Sequence, residues 1–143
     1  MIQDILPLFQ RDIKRLISEL EKFKSNKELW TTSGDVKNSP GNLALHLIGN
    51  LNHFIGACLG KTDYIRNRPA EFKSKDIPSS EIIAQLKQTS KMLKKVLTEI
   101  PPKKLKSNFP NSPFDKKSIQ WVLLQLYGHF SYHLGQINYY RRK

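Results

Sequence analysis

The chain has 143 residues, 24 Lys+Arg against 12 Asp+Glu for a net charge of +12, one cysteine and 38% hydrophobic residues. That length suits one domain over residues 1–143, with a core that needs no disulfide or structural metal, and a lone cysteine excludes an internal disulfide and points to a reducing, cytoplasmic setting. No apolar run approaches the roughly 18–20 residues of a membrane span, and Asp4, Arg11 and Asp12 interrupt the apolar start in a way that speaks against a signal peptide.

The first element is a helix. Ile2, Ile5, Leu6, Phe9, Ile13, Leu16, Ile17, Leu20 and Phe23 recur at steps of three and four, and Pro7 lies near the start, where a missing N–H costs least. The segment SNKELWTTSGD that follows reads as a loop. Ser39 and Pro40 then form an N-cap and N1 pair that opens a second helix, expected to stop at Gly60. Residues 61–78 hold two prolines and neither period, so they read as a long connection. A third helix starts at Ser79 or Ser80, uses Leu86, Leu93, Val96, Leu97 and Ile100, and ends at Pro101-Pro102. After a Pro/Lys/Asn-rich loop over 101–117, a fourth helix runs from Ser118 to about Arg141 on Ile119, Val122, Leu123, Leu126, Phe130, Leu134 and Ile137.

Four amphipathic helices without strands predict an all-α, four-helix bundle. A connection over 61–78 is far longer than a hairpin needs, and at about 3.3 Å per extended residue it spans a helix of about 30 Å. That favours an up-down-down-up bundle with a crossover between the second and third helices, which sets the second and fourth helices antiparallel. The lysines are spread over helix backs and connections. No zinc-finger spacing, phosphate loop or RNA-binding aromatic strand accompanies them, so a solvated basic surface is expected rather than nucleic-acid recognition.

All four histidines fall on two of these helices. His129 and His133 are spaced i, i+4, about 6 Å apart along one helix face, which lets both imidazoles reach one divalent ion at about 2.0–2.1 Å. Phe130 stands where a metalloprotease helix needs its glutamate, which speaks against zincin-type proteolysis. His46 and His53 are about 10.5 Å apart along their helix, too far to share the ion comfortably. With the second and fourth helices antiparallel, His46 lies level with His133 and becomes the third ligand, leaving His53 as a core or pocket-lining residue. Cys58 lies about 120° around the helix from His46 and reads as a small packing residue. No carboxylate falls near this stripe in the sequence.

The runs NSPGNLALHLIGNLNHFIG and HFSYHLGQINYYRR, with YIRNRPAEF between them, resemble the DinB-like superfamily of metal-binding four-helix bundles, most closely an uncharacterised bacterial branch. The resemblance implies a divalent metal, zinc or nickel, held by His46, His129 and His133. It also implies an activity like that of bacillithiol S-transferases and mycothiol-dependent enzymes, with a low-molecular-weight thiol as co-reactant. Homodimers are common in the superfamily and are expected on that ground.

Three histidines leave a coordination position open, as catalytic sites do. With the resemblance, this implies a thiol-dependent S-transferase acting on small electrophiles. Arg66 and Arg68 are candidate anchors for ligand carboxylates, and Asn50, His53, Gln125, Gln136 and Tyr140 are candidate pocket residues. The alternative from another class is a noncatalytic metal- or small-ligand-binding bundle. A basic nucleic-acid-associated protein, whose binding would survive loss of the histidines, is the remaining rival.

Overall fold

The computed structural model describes residues 1–143, and its regular structure is helical. Its α-helices are α1 (Ile2–Lys22), α2 (Asn26–Leu29), α3 (Pro40–Leu51), α4 (Arg68–Lys73), α5 (Ser79–Thr98) and α6 (Ile119–Arg142). There are no strands beyond one isolated bridge between Asn108 and Ser118. Capping chemistry places four of the starts: Ser25, Ser39, Asn67 and Ser118 accept from the backbone N–H of Glu28, Asn42, Ala70 and Trp121. Pro40 and Pro69 stand in first turns, where proline's fixed φ suits the helix and its missing N–H costs nothing.

Three stretches expected as loops contain helix. Residues 26–29 form the single turn of α2, which buries Leu29. Residues 61–78 carry α4, because Pro69 falls at a helix start rather than in an interior. Residues Pro102–Lys106 make a 3-10 turn that buries Leu105.

The long helices pack as a ring in which α1 and α3 each touch both α5 and α6. Their relative directions follow from side-chain pairs. Phe9 packs edge-on against Tyr127, and further along α1 Glu19 accepts from Asn138, so α1 and α6 run the same way. His46 meets His129, whereas Phe54 reaches Trp121 through Phe114, so α3 runs against α6. The Asn52 amide donates to Thr89 and Gly60 abuts Val96, so the α3 path and α5 run together. This arrangement is compatible with the expected up-down-down-up bundle. Twenty-eight buried hydrophobic residues form one core, with Phe9, Phe109 and Phe130 among its largest fully enclosed side chains.

Two acids on α1 enter that core instead of facing solvent. Asp12 accepts from the Tyr127 hydroxyl and from Arg11, and Glu19 accepts from Asn138 and Arg141. Both acids are buried, so these contacts pin α1 to α6 along most of its length.

Beyond Leu51 the helix changes character. Residues Asn52–Leu59 form a π-helix, with Gly60 N–H donating five residues back to Ile55 O. At its start the Asn52 side-chain amide donates to Ile48 O, the carbonyl that an α-helical N–H would otherwise hold alone. One result is that His53 and Cys58, about 140° apart on an α-helix, lie on the same side here. Cys58 Sγ is 3.9 Å from His53 Nε2.

Candidate metal centre

α3 delivers His46 and α6 delivers His129 and His133 to one point between the helices. One ring nitrogen from each lies within 4.8 Å of the others. His46 Nε2 and His129 Nε2 are 3.1 Å apart. Two nitrogens each about 2.0–2.1 Å from a tetrahedral ion would be about 3.3–3.4 Å apart, so this pair already has a ligand-like spacing.

The supports of these rings are where sequence and structure part. The carboxylate of Glu71, on α4, accepts a hydrogen bond from His46 Nδ1 at 3.0 Å. The expectation that no carboxylate stands near the histidines is therefore corrected: the connection folds back and supplies one. The signal that marks it is the Asn67–Pro69 helix start two residues earlier. Asn42 fixes that placement, since its Nδ2 donates to the carbonyls of both Glu71 and Ser74, each at 2.9 Å. Gly49 makes room for the carboxylate; a Cβ there would meet the Glu71 carboxyl carbon at 2.6 Å.

Arg66, expected as an anchor for a ligand carboxylate, is committed instead to Glu71. Its Nε and Nη2 donate to the two carboxylate oxygens at 2.8 and 3.0 Å. Glu71 thus sits buried between a guanidinium and an imidazole, and as the acceptor facing His46 Nδ1 it favours the tautomer with the proton there, leaving Nε2 as a lone pair. On α6, His133 Nδ1 is 2.6 Å from Gln136 Oε1, and Gln136 also donates to the Tyr132 hydroxyl. This bond likewise places the proton on Nδ1.

The remaining expected site residues are placed as follows. Asn50 is buried one turn beyond His46. Arg68 is exposed, with its guanidinium 5.3 Å over the Phe72 ring, which in turn lies 4.9 Å from the His46 ring. Gln125 is exposed and makes no side-chain hydrogen bond. His53 stands apart from the cluster, edge-on to Phe54. Tyr140 donates to Thr31 O and, with His133, Gln136, Tyr132 and Leu43, lines a cavity of about 910 Å³. That cavity gives the histidine cluster a way out to solvent beside His133.

Burial holds His46 below the ordinary imidazole range, against the pull of Glu71. Burial, reinforced by His133 and His46, pushes His129 down to about 4. Neutral rings are the ligating form, so this chemistry suits the binding of a divalent ion. The sign for stability follows from the same shifts. Between about pH 6.5 and about pH 4 the unfolded chain binds more protons at these histidines than the folded one. Their contribution is therefore complete above about pH 6.5 and is lost as the pH falls toward about 4. Chelator-treated protein should melt at progressively lower temperature over that window, and His129→Gln should flatten the profile across it. A profile identical in the variant would contradict the assignment.

The sequence model of the DinB superfamily matches residues 8–137. No curated protein and no solved structure matches the chain.

Proposed function

The chain belongs to the DinB superfamily, and on that footing we propose that it is a divalent-metal protein that transfers a small thiol to a small electrophile, with His46, His129 and His133 as the ligands. The observation that carries this reading is the convergence of three imidazoles from two helices on one point. Zinc or nickel is the proposed ion, since imidazole sets with open positions suit both. An ion held by three neutral imidazoles keeps its +2 charge and an open position, and so favours the thiolate form of a thiol bound there.

The chain's own residues do the rest. Glu71 and Gln136 hold the His46 and His133 rings in the Nδ1–H tautomer and in fixed orientation, so their Nε2 lone pairs need no reorganisation. The cavity beside His133 receives the co-reactants, with Leu43 and Val36 offering apolar contact and Tyr132 and Tyr140 the rims. In the transfer the thiol sulfur forms a bond to the electrophilic carbon, the leaving group departs with its electron pair, and the thiol proton passes to solvent. Arg66 does not anchor substrate in this scheme, because Glu71 occupies it. The exposed Trp121, Leu124, Tyr132 and Tyr139 of α6 support pairing with a second copy of the chain. No helix is long and apolar enough to cross a membrane, and we place the reaction in the cytoplasm, where small thiols stay reduced.

The test uses zinc-loaded protein, a panel of small cysteine-derived thiols and a chromogenic aryl halide. Thioether should form faster than in the protein-free control, and the excess should vanish with chelator and in His46→Ala. Background rates across the panel from protein shown to carry the metal would leave the noncatalytic metal-binding bundle as the function.

A further inference from the structure

Two buried side-chain polar atoms in the protein have no hydrogen-bond partner: Asn50 Oδ1 and His129 Nδ1. Buried polar atoms are paired in the great majority of cases, so each requires an explanation. Both belong to one place. The His46 ring is nearly equidistant from those of His129 and His133, with centroids 5.0 and 5.5 Å away, so along α6 it stands at a level between the two, whose own centroids are 4.6 Å apart. Asn50 is one turn further along α3 on the same face, and α6 runs the opposite way. Asn50 therefore falls at the level between Gln125 and His129, and His129 is flanked on α3 by His46 and Asn50. Its Nε2 faces His46 at 3.1 Å, which leaves Nδ1 on the other side of the ring.

The other two histidines show what is missing. His46 gives its Nδ1 proton to a Glu71 oxygen and His133 gives its own to a Gln136 oxygen. His129 alone has no such acceptor, and Asn50 alone among the buried side chains has a free one. We infer that Asn50 is the positioning residue for His129, its Oδ1 accepting the Nδ1 proton directly or through one water when Nε2 ligates a metal. Each ligand then donates to its own side-chain oxygen, one from α3, one from α4 and one from α6. This assigns Asn50 to holding the site rather than to contacting substrate. The inference rests on the three-histidine site proposed above.

The experiment compares wild-type, Asn50→Leu, Asn50→Asp and His129→Ala proteins, each checked for native fold by circular dichroism and thermal melting. Zinc affinity is read by competition with a chromophoric chelator, and the Nδ1–H of His129 by ¹⁵N-resolved NMR of the zinc-loaded protein. Asn50→Leu should weaken zinc binding about 10–100-fold, the usual cost of losing such a support. It should also move or broaden away the His129 Nδ1–H signal. Asn50→Asp, which keeps an acceptor, should restore both. Asn50→Leu protein that binds zinc as tightly as wild type and keeps the signal overturns the inference while leaving the site intact. Should Asn50→Leu unfold, Asn50→Asp carries the test, and loss of the signal there overturns it too. Zinc binding undiminished in His129→Ala defeats the three-histidine site itself, and this inference with it.

Discussion

Replacing His46 or His129 by alanine should abolish the stabilisation that a divalent metal confers on this protein. A ligand bound only by the folded state at about 1,000 times its Kd adds about 4 kcal/mol, which for a domain of this size raises Tm by on the order of 10 °C. Wild-type protein should show that shift with zinc and about one equivalent of metal by elemental analysis. The alanine variants should show neither, because two imidazoles and water do not replace three. His53→Ala is the informative companion. Its ring stands outside the cluster, against Phe54 and 3.9 Å from Cys58, so metal content and shift should stay at wild-type levels. A variant series in which His53→Ala loses the metal and His46→Ala keeps it would transfer the site to the other end of the helix.

The second large effect should come from Glu71. Its carboxylate is buried and holds both Arg66 and His46, so Glu71→Ala strands a guanidinium whose side chain is only 12% exposed. Breaking a buried pair from one side costs about 3–5 kcal/mol, and loss of the His46 support should weaken metal binding a further 10–100-fold or so. The two consequences separate in the double variant Glu71→Leu/Arg66→Met. Replacing both charges by apolar groups should recover most of the thermal stability, yet metal affinity should stay low, since nothing then accepts the His46 proton. Gly49→Ala offers an independent route to the same defect, because its Cβ enters the space of the Glu71 carboxyl. If Glu71→Ala protein binds zinc with unchanged affinity, Glu71 braces the fold alone.

The parts of this architecture that repeat were legible in the sequence. Stripes at three and four residues marked α1, α5 and α6, and Ser39-Pro40 marked the start of α3 because caps are local chemistry. The clustering of His46, His129 and His133 followed from an i, i+4 spacing and from the length of one connection, both of which survive any error in detail. Glu71 did not follow. It lies on a six-residue helix too short to show a period, and what brings it to His46 is a pair of hydrogen bonds from Asn42, twenty-nine residues away. Asp12 and Glu19 escaped for a related reason. An acid beside an apolar stripe reads as a solvated edge unless its partners, here Tyr127 and Arg141, are known to cover it. Arg66 was legible as a cation but not as an engaged one.

The π-helical stretch over Asn52–Leu59 changes how the whole second helix should be understood. Upstream of it, α3 packs on α4 and α6 as well as α5; the stretch itself packs chiefly on α5. A rod of constant pitch could satisfy one set of neighbours only by dragging the other out of phase. The wider turn works as a vernier, resetting the angular phase after Asn50 so that the His46 side keeps its bearing while the far end seats Gly56 and Gly60 against Met92 and Val96. The far end therefore meets α5 on a different angular phase from the turn that carries His46.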